Sequence, residues 1–203
     1  MGRSSATIEA KRRSPGHNEG PEGVQIQHIA SGDTARIVVL AGDVNEQSIT
    51  IVVAQLLHLA SQNNKPIHLI ISTYGGSVDE MFTLYDTIKF LPCPIHTVAL
   101  GKVMSAGVLL LASGAKGHRM IGRSARLMVH PVSGGAGGNI FEVINDTKEM
   151  KRQQNQMIEA IVKETGSSRH EIERLMKVGH DVYIQPQEAI RLGIVDKIIG
   201  DNS

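Results

Sequence analysis

The chain has 203 residues, 41% hydrophobic and 20% charged, and its 21 Lys+Arg against 20 Asp+Glu give a formal net charge of +1. That is the size of one globular domain. Four of the basic and three of the acidic residues lie within residues 1–23, so 17 of each remain from Val24 onward, and a balance this even argues against a nucleic-acid binder that works by bulk electrostatics. The single cysteine, Cys93, rules out an internal disulfide framework. Apolar runs such as Val108–Ala112 are far shorter than the roughly 20 residues of a spanning helix. With no apolar signal stretch in the polar N-terminus, the expectation is a soluble cytoplasmic protein that makes no membrane contact.

Residues 1–23 contain Arg3, a Lys11–Arg13 cluster, two prolines and four glycines, with almost no large apolar side chain. Such a segment is expected to be a disordered tail ahead of a domain spanning residues 24–203. Arg36–Ala41 (RIVVLA) reads as a strand, Glu46–Leu59 as a helix and Ile67–Ser72 (IHLIIS) as a second strand. Val78–Phe90 follows as a helix, Ile95–Leu100 as a strand, Ser105–Ala112 as a buried helix and Arg126–His130 as a strand. Near-continuous apolar strands alternating with helices predict an α/β fold whose parallel sheet is covered on both faces. After the glycine-rich Pro131–Asn139, the stretch Glu142–Thr165 reads as a long polar helix, with apolar positions that suit packing on another subunit. Ser168 and Glu171 have capping-box spacing and open a helix over Ser167–Lys177. Val182–Ile184, a short helix after Pro186, and Ile194–Ile199 close the chain.

Three segments surround one reactive group with small residues. Ser105 in GKVMSAG lies between a strand and a helix, where a helix-end field and bare N–H groups favour a nucleophile. A plain N-cap serine fits the same position. Gly75-Gly76 ends a strand and can present N–H groups to an oxyanion, or can simply turn the chain. His130 ends the strand LMVH and suits a general base. Asp181 in GHDVYI is the candidate to orient it, with Asp196 in GIVDKI as rival. No HExxH, CxxC or phosphate-binding glycine motif occurs, so neither a metal nor a cofactor is expected.

The stretches STYGGSVDEMFTLYDTI, GKVMSAGVLLLASGAKGHRM, RLMVHPVSGGAGG and HDVYIQPQEAIRLGIVD resemble, in order and spacing, the proteolytic subunit of the Clp protease, the ClpP family of self-compartmentalised serine peptidases. The resemblance covers roughly Arg36 to Ile199. It implies the ClpP/crotonase-like fold of repeated ββα units, with residues 140–165 as a projecting handle helix. It makes Ser105 the nucleophile, His130 the general base and Asp181 the orienting acid, with oxyanion donors at the backbone N–H groups of Gly76 and Ala106. Ser133, Gly134 and Gly135 would border an extended strand that binds substrate peptide by main-chain pairing.

The same resemblance implies two stacked heptameric rings, unfolded proteins as substrates, and an AAA+ unfoldase partner that hydrolyses the ATP. The chain departs from the family pattern at Tyr74, where proline is usual, and at Lys102-Val103-Met104, where Gln-Ala-Ala is usual. Val24–Ala35 matches the family's axial-pore segment poorly. The surface aromatics that receive unfoldase loops fall on His68, Ile70 and Met120, with Phe90 retained, which predicts altered docking. Three alternatives remain on the sequence: a phage-type prohead maturation protease on the same fold, a non-catalytic ring subunit, and an acyl-CoA enzyme of the crotonase type.

Overall fold

The computed structural model describes residues 36–200. The expected N-terminal tail and the Val24–Ala35 segment lie outside the described residues. The fold is mixed α/β, with one seven-stranded sheet and six helices in the described part.

Strand β1 (Ile37–Ala41) leads into helix α1 (Glu46–Gln62), followed by β2 (Ile67–Thr73), α2 (Val78–Phe90) and β3 (Ile95–Met104). These strands pair in parallel, Ile37 with His68 and Ile67 with Ile95, as crossover helices require. Helix α1 opens with a complete capping box, in which Asn45 Oδ1 accepts from the Ser48 N–H and Ser48 Oγ accepts from the Asn45 N–H. It buries Ile49, Val52 and Leu56 at i, i+3 and i+7.

β3 is longer than the Ile95–Leu100 expected, and the extension sets up the site. Its first part pairs with β2 and with the two-residue β4 (Met120–Ile121), which itself pairs with β7 (Lys197–Ile198). The register against β2 then slips between Ile71 and Thr73, and Gly101 takes φ +66° there. A bulge of this kind bends a strand. Beyond it, Lys102–Met104 pair with Arg126–Met128 of β5 (Arg126–Val129), and β5 pairs antiparallel with β6 (Val182–Ile184).

Helix α3 (Ala106–Ala112) is entirely buried and packs against β3, α2 and α4 (Ile140–Thr165). α4 starts two residues earlier than the polar pattern suggested, because Asn139 Oδ1 accepts from the N–H groups of Phe141 and Glu142 while Glu142 reaches back to the Asn139 N–H. Its first half is exposed, Ile140, Phe141 and Ile144 included, whereas Met157, Ile158, Ala160 and Ile161 are buried. The buried end is anchored by Glu164, which accepts from the Tyr85 hydroxyl and the Lys89 ammonium at 2.8 Å each. Burial, reinforced by that carboxylate, pushes the Tyr85 phenol well above its ordinary value. Helices α5 (Arg169–Met176) and α6 (Pro186–Arg191) complete the chain.

The sheet is not covered on both faces by the described residues. Along β2, Ile67, Leu69, Ile71 and Thr73 are buried, but the intervening His68, Ile70 and Ser72 are only half-buried. The sequence run was apolar enough for a two-sided burial pattern, yet helices close over one side of β2 alone.

Candidate active site

Ser105 lies at the junction of β3 and α3, with φ +53° and ψ −120°, the one non-glycine residue of positive φ among those described. A side chain held there costs about 1–3 kcal/mol, and such strain persists only where surrounding contacts enforce it. Those contacts are visible. The Ser105 N–H donates to the Met128 carbonyl at 2.7 Å, tying the residue to β5, and the Ser105 carbonyl accepts from the Val108 N–H at 3.0 Å. Ser105 occupies the N-cap position of α3 but its side chain makes no capping hydrogen bond. Its Oγ instead lies 2.8 Å from His130 Nε2. With the imidazole proton on Nδ1, Nε2 accepts from the hydroxyl, the arrangement in which the serine proton can be removed. His130 stands one residue past β5, so the strand that holds the Ser105 backbone also presents the imidazole to its side chain.

The turn after β2 approaches Ser105 closely. A Cβ on Gly75, at φ +99°, would stand 2.7 Å from Ser105 Cβ and 2.9 Å from the Met104 carbonyl oxygen, so only glycine fits. Gly75 is held by its N–H donating to Thr73 Oγ1 at 2.9 Å. Gly76 forms a parallel bridge with Val44 that uses the Gly75 carbonyl and the Ser77 N–H, each at 2.8 Å, and so leaves the Gly76 N–H out of the bridge. The Ala106 N–H, in the first turn of α3, likewise has no intrahelical acceptor.

Ser105, Ala106, Gly76 and His130 share a cleft of about 210 Å³ with Tyr74, Val78, Met81, Val132, Ser133 and Met157. A second hollow of about 340 Å³ shares Gly76, Val78, Val132 and Ser133 with it, and adds Gly134, Gly135, Asp79, Asp146 and Glu149. Ser133, Gly134 and Gly135, for which the resemblance implies peptide binding, are exposed along the wall of this second hollow.

Asp181 is positioned but not engaged. Val129 pairs with Val182, and one further step of that antiparallel register sets His130 opposite Asp181. Asp181 is exposed, and among the described residues its carboxylate makes no hydrogen bond to His130. The rival Asp196 is occupied elsewhere, accepting from Arg119 Nη2 at 2.6 Å, from Nε at 2.9 Å and from the Arg119 backbone N–H at 3.0 Å. Burial raises the Asp196 carboxyl, but those hydrogen bonds and the guanidinium charge outweigh it and hold the group below the ordinary carboxylate range. Arg119 is 3% exposed and also donates to the Ala112 and Glu164 carbonyls, so this is a structural anchor.

Further contacts surround the site, and one of them had no signal in the sequence. Gln154 Oε1, on α4, accepts from the Val132 N–H at 2.5 Å, and its Nε2 is buried without a partner among the described residues. Helical spacing places Met157 inward, but nothing in the pattern singles out Gln154. Lys102 and Tyr74, which both depart from the family pattern, touch each other, with Lys102 Nζ 4.5 Å from the Tyr74 ring centroid. On the half-buried sheet face, His96 stacks on His118 at 4.0 Å and meets His68 edge-on at 5.1 Å. Burial and then the neighbouring imidazoles push His96 below its ordinary value. Phe90 is 79% exposed, while Ile70 and Met120 are half-buried. No group of three or more His, Cys, Asp or Glu side chains among the described residues converges as metal ligands.

A strained serine at a strand-to-helix junction, in contact with an imidazole and flanked by bare N–H groups, has the form of an acyl-transfer site on an α/β scaffold. The family model described as Clp protease matches residues 22–202, and the chain belongs to that family. Membership makes it a peptidase of the ClpP type, a kind that assembles into oligomers and acts on proteins. No helix among the described residues is long and apolar enough to cross a membrane.

Proposed function

We propose that this chain is the serine endopeptidase subunit of a ring-shaped compartmentalised protease, with Ser105, His130 and Asp181 as its catalytic residues. The observation that carries the reading is the 2.8 Å contact between Ser105 Oγ and His130 Nε2 at a serine held in strained backbone geometry. His130 Nε2 takes the hydroxyl proton as Ser105 Oγ attacks a peptide carbonyl, and the Gly76 and Ala106 N–H groups receive the developing oxyanion. His130 then protonates the leaving amine. Water, deprotonated by the same nitrogen, hydrolyses the acyl-enzyme and regenerates Ser105. Asp181, at the register position opposite His130, orients the imidazole once its carboxylate turns to Nδ1.

Ser133, Gly134 and Gly135 would pair with the substrate main chain, which reads little sequence and suits broad specificity. The exposed first half of α4 suits contacts between subunits of two stacked heptamers, and Phe90 suits an AAA+ unfoldase that hydrolyses the ATP. A cytoplasmic location fits the lone cysteine.

The test is labelling with a fluorophosphonate, the adduct located by peptide mass spectrometry. An adduct on Ser105 that vanishes in Ser105→Ala, together with loss of peptide hydrolysis in that variant, is expected. Wild-type hydrolysis by Ser105→Ala refutes the assignment.

A further inference from the structure

The serine-peptidase reading leaves open which peptides the cleft prefers, and the inference drawn next rests on that reading. Lys102 and Arg126 are register partners on the parallel strands β3 and β5, so their side chains leave the sheet on the same face. Each lies against a tyrosine, with Lys102 Nζ 4.5 Å from the Tyr74 centroid and Arg126 Cζ 5.5 Å from the Tyr183 centroid. Among the described residues neither cation has a carboxylate partner, whereas Arg119, Arg152, Arg169 and Arg191 each form ion pairs. Two like charges side by side on neighbouring strands repel one another. The tyrosine faces offset part of that repulsion. Tyr74 follows β2 and Tyr183 lies on β6, so the rings flank the pair from its outer sides, and an anion within reach of the cations would remove more of the repulsion.

The position of the pair relative to the cleft gives the anion a role. Tyr74 lines the Ser105 cleft but not the outer hollow beside Ser133–Gly135. Alternation along β5 sets Arg126 on the same side as His130, four residues away, which is roughly 13 Å at strand spacing. If the acyl half of a peptide pairs along Ser133–Gly135, the leaving half runs toward Tyr74 and the two cations. The acyl-side hollow is lined instead by Asp79 and Asp146, which repel an acidic side chain there, and by Glu149, which is paired with Arg152.

We propose that Lys102 and Arg126, seated on Tyr74 and Tyr183, form a carboxylate-binding subsite on the leaving-group side of the scissile bond. It selects peptides with Asp or Glu about three or four residues beyond that bond, the reach of an extended chain over this distance.

The experiment uses the full-length Ser105→Ala chain and fluorescent peptides that differ only in carrying Glu, Gln or Lys at the fourth residue past a common cleavage point. Binding is read by anisotropy at low and high salt. The Glu peptide should bind about tenfold tighter than the Lys peptide at low salt, the size of two exposed charge pairs, and the ratio should shrink as salt is added. Lys102→Gln and Arg126→Gln should each reduce the ratio to about threefold or less, and Lys102→Arg should restore it. Equal binding of Glu and Lys peptides, no measurable binding of the Glu peptide, or a preference that survives both substitutions overturns the subsite. Cleavage of the Gln peptide by the unaltered chain, measured in parallel, tests the peptidase reading separately. A chain that cuts the neutral peptide yet ignores charge refutes the subsite alone.

Discussion

Replacing Gly75 by alanine separates two costs that usually come together. Gly75 has φ +99° and Gly42 has φ +92°, so alanine at either position pays a similar backbone penalty of about 1–2 kcal/mol. They differ in surroundings. A Cβ on Gly42 meets nothing within 4 Å, while one on Gly75 would lie 2.7 Å from Ser105 Cβ, 2.9 Å from the Met104 oxygen and 3.2 Å from the Ala106 nitrogen. Carbon atoms in ordinary contact stand about 3.5–4.0 Å apart, so the Ser105 turn must retreat by about 1 Å. A displacement of that size at a reacting group costs on the order of 10²-fold in rate. Urea unfolding of Gly42→Ala should therefore show a loss of about 1–2 kcal/mol, with fluorophosphonate labelling of Ser105 at its normal rate. Gly75→Ala should lose at least as much stability and label about 100-fold more slowly. Equal labelling rates in the two variants would refute the argument that Gly75 is there to let the chain approach Ser105.

Asp181→Asn should lower peptide turnover by about 10⁴-fold if the residue orients His130, with unfolding unchanged; turnover within tenfold of the unaltered chain removes Asp181 from the mechanism. Asp196→Asn should instead cost about 3 kcal/mol of stability at pH 7, because it leaves the buried Arg119 guanidinium short of its partner. A carboxylate held below its ordinary range stabilises the fold above its unfolded pKa near 4 and loses that contribution as pH falls through the folded value, so the gap between variant and parent should narrow below about pH 4; a gap that is constant with pH contradicts this. Gln154→Leu removes the acceptor of the Val132 N–H and should lower kcat more than it raises KM, while Gln154→Glu, which keeps an acceptor oxygen, should recover most of the loss.

The elements legible in the sequence were those whose pattern is local. α1, α2 and β2 declare themselves through apolar spacing, and the predicted start of α2 at Val78 and its end at Phe90 agree with the structure. The two-residue strands β4 and β7 exist through pairing with partners far along the chain, which local pattern does not record. The extension of β3 past Leu100 depended on a bulge at a glycine that reads equally as a strand terminator. Ser105 shows most clearly how a site was half-legible. Its position at a helix start was readable, but whether the hydroxyl caps the helix or meets an imidazole depends on β5 arriving from 25 residues away. Asp196 was ambiguous for the converse reason, since its partner Arg119 lies 77 residues earlier and nothing near either residue announces the pair.

β3 threads both halves of this molecule. Before its bulge it is flanked by β2 and β4, and after it by β5, and Ser105 follows at its last peptide. The segment carrying Ser105 therefore cannot fray without dismantling the central ladder, and the Val103 amide should exchange with solvent deuterium only through global opening. A peptidase that acts on proteins is itself a protein within reach of its neighbours whenever it opens. With Ser105 joined to the central strand, a partly open copy should offer its periphery to a neighbour before Ser105 and His130 come apart.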